Sequence, residues 1–310
     1  MNRSFVGAAA LAGLLACNAA TASATPTEPP SDVGEVKGLA WDAGKDRLWI
    51  AGDQADAGTV VGAMEGTDPI TITFHADIQS VQGLAMANGA LYVGDIGDEN
   101  GQREFVTIYR FADTGPSSNK KFFAYDLAYP NEEKLHATAL MVAADGTFYV
   151  ATAGDDAGLF VASSPSRTEV NVMERVGDAP AGVTDAVMLD DDLTAALLSD
   201  EGITLVDTLT GETVGAGERP EGAQSTAVAA LDPSTLILAD DASIQETSIP
   251  QVEETAEPEP SETTSESAES VVEEAVEEVA TPNNSGTIVA LALAVIVSLG
   301  AAIATYVVRA

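Results

Sequence analysis

Cysteine occurs once in the 310 residues, at Cys17, inside what reads as a leader. A mature chain without cysteine excludes a disulfide framework, a thiol nucleophile and a thiolate metal site. Basic residues are also scarce: 13 Lys and Arg stand against 49 Asp and Glu, for a formal net charge of −36. Nucleic acid is thereby excluded as a partner, because phosphate binding needs clustered cations. His75 and His136 are the only histidines, too few for a histidine cluster holding a transition metal. No P-loop or dinucleotide fingerprint is present, which argues against nucleotide cofactors. No G-x-S-x-G elbow occurs either, and a Ser-His-Asp arrangement would have to use one of the two histidines. Helical periodicity of useful length is missing between residues 25 and 250.

What is present begins with targeting signals. Arg3 precedes an apolar run from Phe5 to Ala16, and Ala22-Ser23-Ala24 offers a cleavage site, so residues 1–24 read as a signal peptide. A second reading takes Leu14-Leu15-Ala16-Cys17 as a lipoprotein box with Cys17 lipidated. At the other end, residues 286–308 read as a transmembrane helix. The uncharged run Thr287 to Val308 has 22 residues and would span roughly 33 Å, enough for a hydrocarbon core of about 30 Å. Arg309 behind it places residues 309–310 in the cytoplasm and the bulk of the chain outside. The expected location is the cell membrane, single-pass, with an extracellular ectodomain. Between ectodomain and helix, residues 251–285 hold eleven glutamates and no basic or aromatic residue. Such a segment buries too little apolar surface to fold, and reads as a disordered, extended stalk.

Residues 25–250 carry an internal repeat: a short apolar strand, a turn, a second apolar strand, then an acid. The units start at Gly38, Gly83, Thr138, Asp185 and Thr226. Asn88-Gly89 and Asp145-Gly146, each between apolar runs, are hairpin signals. Further strands complete several units, at Val170–Met173 in the third for example. Four strands per unit at this period predict an all-β fold, a β-propeller of about five four-stranded blades. The fifth unit lacks clear outer strands, so closure of the ring draws on residues 25–36. Trp41 and Trp49 read as packing between blades.

The stretch Leu91-Tyr92-Val93-Gly94-Asp95-Ile96-Gly97-Asp98-Glu99-Asn100, with Arg103 and the strand Val106-Thr107-Ile108-Tyr109-Arg110, resembles secreted bacterial propellers that carry a D-I-G-D-N signature before a V-x-x-Y-R strand. Tyr129-Pro130 and His136-Ala137-Thr138-Ala139-Leu140 stand where that family has a Y-P and D-A-E-A-L segment. Glu99 is inserted before Asn100, and His136 and Thr138 replace usual acids. The resemblance implies the propeller fold and secretion. Some propellers of related appearance are calcium-dependent phytases or esterase-like proteins, which is the source of an enzymatic alternative.

In this architecture Asp53, Asp95, Asp155, Asp200 and Asp240 follow the second strand of their blades and line one rim, with His136 at a blade entrance on the same face. These six are the expected ligand-binding residues. Asp95, Asp98 and Asn100 are the candidate calcium ligands, because calcium takes six to eight oxygen donors; calcium is the one cofactor the composition suits. No catalytic residue is assigned. The expected function is therefore a membrane-anchored, non-catalytic binding module presenting an acidic face to a protein, glycan or cation partner. The alternative is a calcium-dependent hydrolase of the phytase or esterase-like propeller kind at the same rim.

Overall fold

The computed structural model describes residues 25–154, 156–220 and 224–251. The expected leader with Cys17, the apolar C-terminal run and all of the stalk beyond Gln251 lie outside the described residues. Among the described residues no helix is long and apolar enough to cross a membrane.

The fold is an all-β propeller of five sheets. The first blade is β1 (Gly38–Asp42), β2 (Arg47–Ala51), β3 (Thr59–Ala63) and β4 (Ile70–Thr73). The second holds β5 (Val81–Ala87), β6 (Ala90–Asp95), β7 (Val106–Phe111) and β8 (Phe123–Ala128). The third holds β9 (Ala137–Val142), β10 (Phe148–Thr152) and β11 (Gly158–Ala162). A short strand, β12 (Asn171–Val172), then leaves it to pair in parallel with β8, and β13 (Glu174–Asp178) returns as the third blade's outer strand. The fourth is β14 (Val183–Met188), β15 (Thr194–Ser199), β16 (Gly202–Asp207) and β17 (Thr213–Gly217). The fifth has three strands: β18 (Ala227–Asp232), β19 (Thr235–Ala239) and β20 (Ile244–Ser248). Two 3-10 turns, Asp53–Ala57 and Pro130–Glu132, are the only helical segments among the described residues.

Val170–Met173 is thus corrected from an outer strand of the third blade to a bridge onto the second. The reason lies in its polar anchor. The Asn171 side chain donates to the Asp126 carbonyl at 2.9 Å, and the Met173 amide donates to the Ala128 carbonyl at 2.8 Å. At Asn88-Gly89 both residues take positive φ, 50° and 71°, as a two-residue hairpin requires. At Asp145-Gly146 only Gly146 does, at 89°, and the turn is longer.

The buried apolar residues form five clusters, and each lies between two neighbouring blades. Phe74, Tyr109, Phe111 and Phe122 sit at the seam of blades one and two. Phe74 and Phe111 meet edge-on with ring centres 4.9 Å apart, an arrangement worth about 0.5–1.5 kcal/mol beyond area burial. Trp49 is fully buried in the same seam. Trp41 packs in the seam of blades five and one, beside Val33 and Val36 of the entering segment. The ring closes there without a shared strand. The Ile244 amide donates to the Thr27 carbonyl at 2.9 Å, the Val36 amide to Asp241 at 3.0 Å, and the Thr226 hydroxyl to the Val36 carbonyl at 2.8 Å.

The innermost strands β1, β5, β9, β14 and β18 surround the axis. Gly38 and Gly83 let them approach: a methyl on Gly38 would fall 2.6 Å from the Gly83 Cα, and one on Gly83 2.9 Å from the Leu140 nitrogen. Asp185 fills the remaining space. It is fully buried, accepting from the Ala186 amide at 2.9 Å, the Val228 amide at 3.0 Å and the Leu39 amide.

Candidate functional site

The loops after the second strands and the segments entering each blade share one face, because strand direction alternates within every sheet. On that face a polar cleft of about 420 Å³ opens between the first two blades. Lys37 and Glu35 come from the entering segment, Asp56 from the first 3-10 turn, Gln79 and Ser80 from the β4–β5 link, and Asp98, Glu99, Asn100 and Arg103 from the signature loop. A second depression, of about 610 Å³, lies on the other side of Arg103 and is lined by Glu104, Tyr129 and Lys134 among others.

Arg103 is the keystone between them. Its guanidinium grips Asp95 with both terminal nitrogens, Nη1 to Oδ1 at 3.0 Å and Nη2 to Oδ2 at 2.9 Å, and Nη1 also donates to the Gly97 carbonyl at 3.0 Å. Asp95 is fully buried, and its Oδ1 further accepts the amides of Gln79 and Ser80 at 3.1 and 2.8 Å. A planar, two-pronged pair of this kind is charge-assisted and geometrically specific. Asp98 shapes the loop itself: its two oxygens accept the amides of Gln102 and Arg103, both at 2.9 Å.

His136 stands directly behind this loop, half-buried at the entrance to β9. The Asp98 amide donates to its Nδ1 at 3.0 Å. With that lone pair engaged, a neutral ring carries its proton on Nε2, so this edge is a hydrogen-bond donor. Lys37 adds a cation on the opposite side, held by Asp56 at 3.0 Å, while the other oxygen of Asp56 accepts the Val81 amide at 2.6 Å. Tyr129 is buried near Asp98 and Arg103, its hydroxyl without a hydrogen-bond partner. Burial and the Asp98 charge push that hydroxyl above the usual phenol range. Tyr109, buried and near Asp95, is pushed up to about 12.

The sequence-expected residues part company here. Asp95, Asp98, Asn100 and His136 gather at one place. Asp53 and Asp200 are exposed on the same face but away from the cleft. Asp240 closes its own turn, accepting the amides of Ala242 and Ser243, both at 2.8 Å. Asp155 lies outside the described residues. The trio Asp95, Asp98 and Asn100 does not fit a calcium ion, because both Asp95 oxygens are turned to Arg103 and backbone amides. Among the described residues no three His, Asp or Glu side chains stand together as a metal-holding group. Lys37, Asp56 and Gln79 were not foreseeable, since distant segments bring them to the cleft. The polar dipeptide Gln79-Ser80 before an apolar strand was the one available hint.

No family model and no curated protein matches the chain. Among solved structures it is similar to a gluconolactonase from Xanthomonas campestris, at 14% identity and a TM-score of 0.46, over 69% of this chain and 72% of that one. A streptogramin B lyase matches at 13% identity and a TM-score of 0.42, over 73% and 72%. A catalytically inactive histidine-to-alanine variant of virginiamycin B lyase from Staphylococcus aureus, with quinupristin, matches at 13% and 0.40, over 71% and 87%. The likeness is one of fold. These propellers carry the names of enzymes, against the expectation of a non-catalytic binding module without enzymatic activity, and that expectation is withdrawn.

Proposed function

We propose that the chain is a hydrolase of the propeller kind, cleaving carboxylic ester or lactone bonds in the cleft between the first two blades. The observation that carries this reading is the fixed orientation of His136 by the Asp98 amide, beside a cleft that has cationic and anionic walls. In this reading the Lys37 ammonium on the cleft and the Nε2–H of His136 behind the Asp98 loop are the donors for a carbonyl oxygen where charge develops. Glu35 and Glu99, exposed on the cleft, are the carboxylates able to take a proton from an attacking water. Water oxygen bonds to the carbonyl carbon, the carbon–alkoxide bond breaks, and the alkoxide leaves with the proton that the carboxylate collected. Arg103 and Asp95 hold the loop rather than react, which keeps Asp98 and His136 in register.

The test is hydrolysis by the purified full chain of gluconolactone and a panel of p-nitrophenyl esters, with EDTA and with added calcium in parallel. Turnover is expected, falling about 100-fold or more in H136A, the scale of losing one oriented donor. Absence of turnover above buffer on every lactone and ester, or an H136A rate equal to wild type, overturns the reading.

A further inference from the structure

The opposite face of the disc carries a third, chemically different cavity. The inner strands of the five blades line a well of about 360 Å³ at the propeller axis. Leu39, Leu84 and Leu140 form its walls, with the partly buried Met86, Met188 and Leu231 also in its lining. The inner strands approach closely at Gly38 and Gly83, one residue before the lining residues Leu39 and Leu84. It shares no lining residue with the polar cleft, which opens at the other ends of the strands.

The mouth of the well is acidic. Asp190 and Asp232 line it directly, and the surrounding first hairpins add Asp46, Asp145, Asp191 and Asp192. The cations of these hairpins, Lys45 and Arg47, are turned elsewhere, Lys45 to the Thr114 hydroxyl and Arg47 to the Met64 sulfur and the Trp49 ring. Asp232 is held below the usual carboxylate range by hydrogen bonds from Ser234, and Asp190 is exposed. Methionine lining suits this use, since an unbranched thioether chain adapts to occupants of different shape. A cavity volume of this order falls in the range of small-molecule sites.

We infer that the well binds a small amphipathic cation, its apolar body inside the ring of inner-strand side chains and its positive head between Asp190 and Asp232. The site is independent of the hydrolase reading and is tested apart from it. Trp41 lines the well and Trp49 is sealed in the core, so intrinsic fluorescence of the full chain reports occupancy, with W41F assigning the signal. Octyltrimethylammonium is the probe, against neutral octanol and anionic octanoate, at low and at raised salt. Saturable binding of the cation is expected, at least about tenfold tighter than of octanol, and weakened by salt. D190N/D232N, two surface changes that leave the core intact, should remove that advantage. M188K, which places a cation at the mouth, should abolish binding. No saturable signal with the cation overturns the proposal. Equal binding of the three probes does so too, as does a cation affinity unchanged in both variants.

Discussion

Asp185 is held by backbone amides from the first, fourth and fifth blades rather than by a cation. Burial raises its carboxyl well above the usual range, and the three amides pull the other way without prevailing. A carboxyl whose folded pKa is raised holds its proton in the native state while the unfolded chain has released it. Its stabilising contribution is complete below the unfolded value, about 3.9, and is lost as pH rises through the folded one. D185N carries no such titration. In urea unfolding between pH 4 and pH 8, the wild-type advantage over D185N should therefore shrink with rising pH. D185A should be lower throughout by about 3 kcal/mol or more, because it leaves buried amides unpaired at roughly 1–3 kcal/mol each. A wild-type margin that grows with pH would show the carboxylate, not the acid, to be the native form.

At the scale of elements, the signature loop between β6 and β7 is organised by one ion pair. Removing one partner of a buried pair strands the other, at about 3–5 kcal/mol. R103M should lose roughly that in denaturant unfolding and take the esterase activity with it, whereas E104A, on an exposed neighbour, should change neither. This loop also shows what sequence could and could not disclose. Asp95, Asp98 and Asn100 are adjacent in the chain, and their clustering was legible. Which charge Asp95 faces was not, because acid-rich loops satisfy either a calcium ion or an arginine, and only the folded path of residues 96–103 decides between them. Strand pairs joined by tight turns, such as β5 and β6 around Asn88-Gly89, were legible for the same local reason that makes them fold. The strand Asn171–Val172 was not, since its place on β8 rests on a polar anchor about 45 residues away.

Across the whole molecule, stability resides in five seams rather than one centre. The seam of blades five and one is the one where residues 27–36, which precede the first blade, meet the fifth, with Val33 and Val36 wedged into it. V36D puts a charge where a fully buried valine stood and should cost about 3 kcal/mol, the upper range for single substitutions. Hydrogen exchange should then show β18, β19 and β20 losing protection before β6, β7 and β10. Uniform loss across all blades would mean that the ring opens as a unit and that this seam is no weaker than the others.

The three-stranded fifth blade gives the molecule a direction under load. A pull applied at residue 251 acts first on β20, whose only strand partner among the described residues is β19. The hydrogen bonds of an antiparallel outer strand drawn from its end break one after another rather than together. Tension there peels a single ribbon at low force. The second blade, fastened by β12 to a segment of the third, resists as a block, so an extension trace should begin with a short early release and end with a larger, later one.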